Sequence, residues 1–190
     1  MQKKSSPVKT VIALVVLAAA VFIIFLLAIK TPDKTADSVT ITAATKQLTK
    51  DFEKDYPATP RTVVSEYAEI TKCFYASDTE EDQIKPLAIQ MRQLFDDELI
   101  ANQSFDDFYD SLRSEIAVYR DKNKIVSSYS VSSSTDVKYT DNEYGSLASL
   151  YLTLNIREDG VINKIKEQFL LRQDKEGHWK ILGWEYVADE

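Results

Sequence analysis

Two carboxylates carry the sharpest chemical signal in this 190-residue chain. Glu167 and Glu185 fall on neighbouring antiparallel strands, and counting back from the turns sets them opposite one another on an apolar face. Like charges at cross-strand spacing repel, and partial burial raises at least one of the two pKa values. At the mouth of a pocket such a pair holds a cation or shuttles a proton. The blander expectation, and the favoured one, leaves both acids in water or against a Lys or Arg, because ion-pair networks often imitate sites.

The other chemically capable residues point to less. Asp96-Asp97-Glu98 is a second acidic group, expected near the C-terminal end of a helix, the poorer end for anions. It lacks the ligand spacing of a calcium loop, so a solvated face is expected. Cys73 has no His near it in sequence to lower its pKa and lies beside an apolar stripe, as a small buried hydrophobe does. His178 is the only histidine. With no second His and no Cys cluster, no metal site is expected, and no cofactor motif is present.

Something must position these groups, and the first constraint comes from charge. The first thirty residues hold four of the 23 basic side chains and none of the 30 acidic ones, leaving 19 against 30 and a formal charge of −11 on residues 31–190. A domain that acidic repels phosphate backbones, which argues against nucleic-acid partners. Val11 to Ile29 runs for nineteen residues without charge, Gly or Pro. At about 1.5 Å per residue that just spans a hydrocarbon core of roughly 30 Å. Lys3, Lys4 and Lys9 precede it, so the positive-inside bias puts residues 1–10 in the cytoplasm and the rest outside. The run is long for a cleaved signal peptide, and no Ala-x-Ala site follows it. The expected order is a cytoplasmic tail (1–10), a single-pass signal anchor (11–29), an extracytoplasmic linker (30–58) and one folded domain (59–190).

The domain reads as α+β, three helices followed by four strands. Thr59 caps a first helix whose first position is Pro60, with Val63, Tyr67, Ile70 and Phe74 on one stripe. A second helix is expected from Asp82 to Ala101. Ser104 with Asp107 resembles a capping box and opens a third, lined by Phe105, Phe108, Leu112, Ile116 and Tyr119. A first strand is expected over 126–135, then a polar loop near Asp141-Asn142. Asp159-Gly160 marks a two-residue type I′ hairpin, and Lys175-Glu176-Gly177 a three-residue turn. Together the turns place Leu150, Leu154, Ile165, Phe169, Leu171, Trp179 and Ile181 on one face for the helices to cover. The opposite face then carries Leu147, Tyr151, Leu170, Leu182, Trp184 and Tyr186 inside a charged rim. That is the make-up of a homodimer or partner surface, or of a face half covered by the linker or the first strand.

Three helices before a curled sheet ending in Gly177-x-Trp179-Lys180-Ile181 resemble the NTF2-like (cystatin-like) cone superfamily over residues 59–187. Tyr56-Pro57-x-Thr59-Pro60-Arg61, Lys72-Cys73-x-Tyr75, Phe95-Asp96-Asp97-Glu98-Leu99 and Phe169-Leu170-Leu171-Arg172 look like an uncharacterised family of membrane-anchored proteins from Firmicutes. An anchor before such a domain is similar in architecture to VirB8-like scaffold proteins. The resemblance implies a cone fold behind a membrane anchor, with Glu167, Glu185, Tyr67 and Tyr129 as inner-face candidates. No catalytic residue carries over from the enzymes of the superfamily. The expectation is a non-enzymatic binding or scaffold domain of the bacterial envelope, with a small-molecule or catalytic cone as the alternative.

Overall fold

The computed structural model describes residues 41–188. The tail and anchor expected at 1–29 lie outside them, and no helix among the described residues is long and apolar enough to cross a membrane. The described part is a mixed α+β domain in which helices cover one side of a curled antiparallel sheet.

Chain that was expected to be linker belongs to this domain. A short helix, α1 (Ala43–Leu48), is capped by Thr42, whose Oγ1 accepts from the Thr45 amide at 3.1 Å. Ala44, Gln47 and, further on, Phe52 are buried. Helix α2 (Pro60–Phe74) begins where the Thr59-Pro60 signal put it, with Thr59 and Thr62 capping each other reciprocally. Val63, Tyr67, Ile70 and Phe74 are all buried.

The single helix expected from Asp82 to Ala101 is two helices, α3 (Glu81–Arg92) and α4 (Asp97–Asn102). Between them the chain runs extended for one residue and joins the sheet edge, where the Ile181 amide donates to the Leu94 carbonyl and the Asp96 amide to the Ile181 carbonyl, both at 2.8 Å. The break turns the acidic triplet from a helix end into a helix beginning. Asp96 caps α4 and is buried in an ion pair with Arg172, which also reaches Glu98 at 3.2 Å. A carboxylate at a helix N-terminus is favourable, whereas at the expected C-terminal end it would not be. Helix α5 (Phe105–Asp121) follows its Ser104 cap and buries Leu112 and Ile116.

Five strands, one more than expected, form the sheet: β1 (Ile125–Val131), β2 (Lys138–Asn142), β3 (Gly145–Glu158), β4 (Val161–Gln173) and β5 (Trp179–Tyr186). The Asp141-Asn142 stretch expected as loop is β2, which lies end to end with β1 along the same edge of β3. Asp159 (φ 49°) and Gly160 (φ 83°) form the type I′ turn, and β3 pairs with β4 as the turn requires: Leu154 with Ile165, Leu150 with Phe169, Ala148 with Leu171.

The β4–β5 pairing begins as expected, with Gln173 opposite Trp179 and Leu171 opposite Ile181, and then steps. Leu170 faces Gly183, so Leu182 is an extra residue in a β-bulge. Beyond it every side chain of β5 changes face. Phe169 faces Trp184, Glu167 faces Tyr186, and Glu185 lies opposite Gln168. The expected Glu167–Glu185 pairing is therefore wrong, and so is the placement of Trp184 and Tyr186 on the outer face. The physical driver is burial: the bulge turns Trp184 inward against Phe169, with ring centroids 5.7 Å apart.

Candidate functional site

The inner face of β4 and β5 lies beneath Tyr67 of α2 and Phe95 of the linking segment, with α5 alongside. Tyr67, Phe95 and Trp184 form a triangle of rings with centroids 5.4 to 6.5 Å apart. Phe108 of α5 meets Phe95 edge-on at 5.9 Å. Between these elements is a cleft of about 160 Å³, lined by six aromatic side chains (Tyr67, Phe74, Tyr75, Phe95, Phe108 and Trp184), with Glu115 of α5 as its charged residue.

Glu167 lies two residues along β4 from Phe169, on the same inner face and opposite Leu152 and Tyr186. It is 5% exposed, and its Oε2 is buried without a hydrogen-bond partner. Burial, and then the negative charge of Glu115, push its carboxyl up to about 7. The phenols around it are raised in turn. Tyr67 is held well above the ordinary tyrosine value by burial and then by Glu167. Tyr119 is pushed up to about 12 by burial and then Glu115. Tyr186 rises through burial followed by Glu167 and Glu115. Near neutral pH, then, the phenols stay protonated donors while the Glu167 carboxyl is poised between its two forms. A protonated carboxyl donates a hydrogen bond, and an ionised one accepts and attracts positive charge.

The sequence-predicted residues are divided by this geometry. Glu167 and Tyr67 are brought together. Tyr129 goes elsewhere, donating its hydroxyl to Glu69 Oε1 at 2.8 Å. Glu185 lines another hollow of about 360 Å³ with Ser149, Gln168, Leu170 and Leu182, and Trp184 borders both this hollow and the cleft. Leu147 and Tyr151 stay on that face, the Tyr151 ring covered by the Lys166 ammonium 4.7 Å from its centroid. Cys73 is buried as expected, and burial pushes its thiol up to about 11. Asp174, Glu176 and His178, at the last hairpin, are the one grouping of three metal-competent side chains among the described residues. The His178 ring lies tilted against Tyr56, with centroids 4.6 Å apart, and its Nδ1 is 3.5 Å from Glu176 Oε2.

Sequence reasoning missed Glu115. Its signal was present, since it falls three residues after Leu112 and four before Tyr119, at the margin of the α5 apolar stripe.

The family described as Domain of unknown function (DUF6715) matches residues 1–184. The chain belongs to that family. The match runs through the apolar N-terminal stretch and the folded domain alike, so the family comprises both parts. No curated protein matches the chain.

Proposed function

We propose that this protein is a single-pass, membrane-anchored extracytoplasmic binding domain of NTF2-like form, and that it binds a small ligand in the cleft beside Glu167 without turning it over. The apolar stretch 11–29 with its N-terminal lysines supports the anchor and its orientation. Helices laid on one side of a curled antiparallel sheet support the NTF2-like form. The observation that carries the binding reading is the orphaned Oε2 of Glu167, buried within the field of Glu115, which lines an aromatic cleft. A buried acceptor without a partner costs about 1–3 kcal/mol, and a Leu would pack between Leu152 and Tyr186 without that cost. Local choices that oppose the rest of the fold concentrate at functional positions. The two-carboxylate catalytic alternative has lost its partner, because Glu185 lies on the other face. Docking through the outer face has lost Trp184 and Tyr186 and keeps Leu147, Tyr151, Leu170 and Leu182.

Glu167→Leu tests the binding reading. At pH 7.5 it should raise the melting temperature, by an amount corresponding to about 1–3 kcal/mol. A lower melting temperature would mean the carboxyl serves the fold, and the reading would fail. The anchor is tested separately. Removing residues 1–30 should move the protein from the membrane pellet to the soluble fraction, and protease added to intact wall-stripped cells should degrade the domain.

A further inference from the structure

The cleft has an asymmetric lining, which narrows what it can hold. Six aromatic side chains and Glu115 border it; the one basic group at its rim, the Arg92 guanidinium, lies over the Phe108 ring 5.7 Å from its centroid. Glu167, 5% exposed and unpartnered at Oε2, stands outside the lining, buried close enough to Glu115 and Tyr67 for their charges to act on one another. A neutral apolar ligand gives no reason for one carboxylate in the lining and a second buried nearby, and an anion would be repelled by both. Aromatic faces combined with acids are the recognition chemistry of ammonium groups, which the rings attract through their quadrupoles. The volume of about 160 Å³ has room for roughly five waters. That accommodates a headgroup rather than a drug-sized molecule.

We propose that the cleft binds a small organic cation, an alkylammonium or quaternary ammonium group, against Tyr67, Phe95 and Trp184, with Glu115 as the counter-charge in the lining and the buried Glu167 acting on it from behind. This rests on the cleft being a binding site and goes further by naming the class of ligand. Each group facing Glu167 is accounted for: Glu115 and Tyr119 on α5, Tyr67 on α2, Tyr186 on β5. Their phenols remain protonated through neutrality, so pH acts on the cleft through its carboxyls. The cation needs Glu167 ionised, and binding should therefore strengthen as pH rises through about 7.

The test uses the full chain in dodecyl maltoside with Trp179→Phe, which leaves Trp184 as the sole tryptophan. Trp179 meets Tyr139 edge-on and does not line the cleft. Trp184 fluorescence is followed while choline, or its neutral carbon isostere 3,3-dimethyl-1-butanol, is added. Choline should bind at least about tenfold more tightly than the isostere, which is the scale of one aromatic or charge contact. Its affinity should rise about tenfold from pH 6 to pH 8, as the ionised fraction of a group near 7 climbs from about a tenth to about nine-tenths. Glu167→Gln should abolish the pH slope and lessen the preference while still binding the isostere. Equal binding of the two compounds would overturn the cation assignment and leave the cleft reading standing. No response to either up to about 50 mM, well beyond millimolar affinity, would overturn both. Mixed micelles with dihexanoyl phosphatidylcholine separate the sources: a response there without one to free choline assigns a lipid headgroup, and the reverse assigns a free cation.

Discussion

Glu167 ties stability to pH in a direction opposite to most carboxylates. An acid whose folded-state value lies near 7, against an ordinary value of 4.5, binds its proton more tightly in the folded protein. Its penalty is therefore absent below about 4.5, grows as pH rises, and is complete above about 7. Between pH 5 and pH 8 the wild type should lose about 2–3 kcal/mol from this group alone. Glu167→Gln should lose less over the same interval, by that amount. Urea unfolding of both proteins at the two pH values measures the difference, and parallel behaviour would mean the carboxyl titrates normally. Trp184 belongs to the same neighbourhood. It packs on Phe169, Tyr67 and Phe95, so Trp184→Ala should cost about 3 kcal/mol. A residue exposed on the outer face would lose almost nothing.

At the scale of elements, the bulge in β5 decides which side chains meet. Deleting Leu182 removes the extra residue and leaves Gly183 opposite Leu170 and Trp184 opposite Phe169, the pairing already present. The emission of a sole Trp184 should therefore stay where it is, with a stability change of about 1–2 kcal/mol. If β5 ran without a bulge, the same deletion would carry Trp184 from one face to the other and shift its emission. This strand also shows where legibility stopped. Turn chemistry at Asp159-Gly160 and at Gly177 was local and strong, and it gave the β3–β4 register in full and the first part of β4–β5. The hint of the bulge was Gly183 within an otherwise strand-like run, a position where glycine often marks one. Its cause, the burial of an aromatic two residues further on, is tertiary. The break between α3 and α4 is of the same kind. Leu94 and Asp96 leave the helix to cover the β5 edge, and Arg172 holds Asp96 from 76 residues away. Glu167 was legible as an acid on an apolar strand face, whereas Glu115, its neighbour in charge, came from a different element and was not.

On the scale of the whole domain, the fold begins earlier than composition suggests. Residues 41–56 are polar on average, and their apolar groups are spread over a six-residue helix and a turn, too short to show a period. What fastens them is a carboxamide on another helix. Gln90 Nε2 donates to the Gln47 and Lys50 carbonyls, each at 3.0 Å, while Gln47 Nε2 reaches Glu66 at 3.1 Å and Lys50 pairs with Glu66. Tyr56 closes the segment by donating its hydroxyl to the Trp179 carbonyl at 3.0 Å. A chain starting at residue 57 gives up the burial of Phe52, worth about 2 kcal/mol, and exposes the α2 and α3 surface beneath α1. Relative to a chain starting at residue 41, its melting temperature should fall on the order of 10 °C, since about 1 kcal/mol shifts a domain of this size by roughly 2–4 °C. Gln90→Ala in the longer chain should reproduce part of that loss by freeing α1. If the two lengths melted together, α1 would be a passive passenger and the stable unit would begin at Thr59 after all. If they separate as expected, α1 is a packed part of the domain, held at its start by Gln83 Nε2 donating to Thr45 Oγ1 at 3.0 Å and at its end by Gln90.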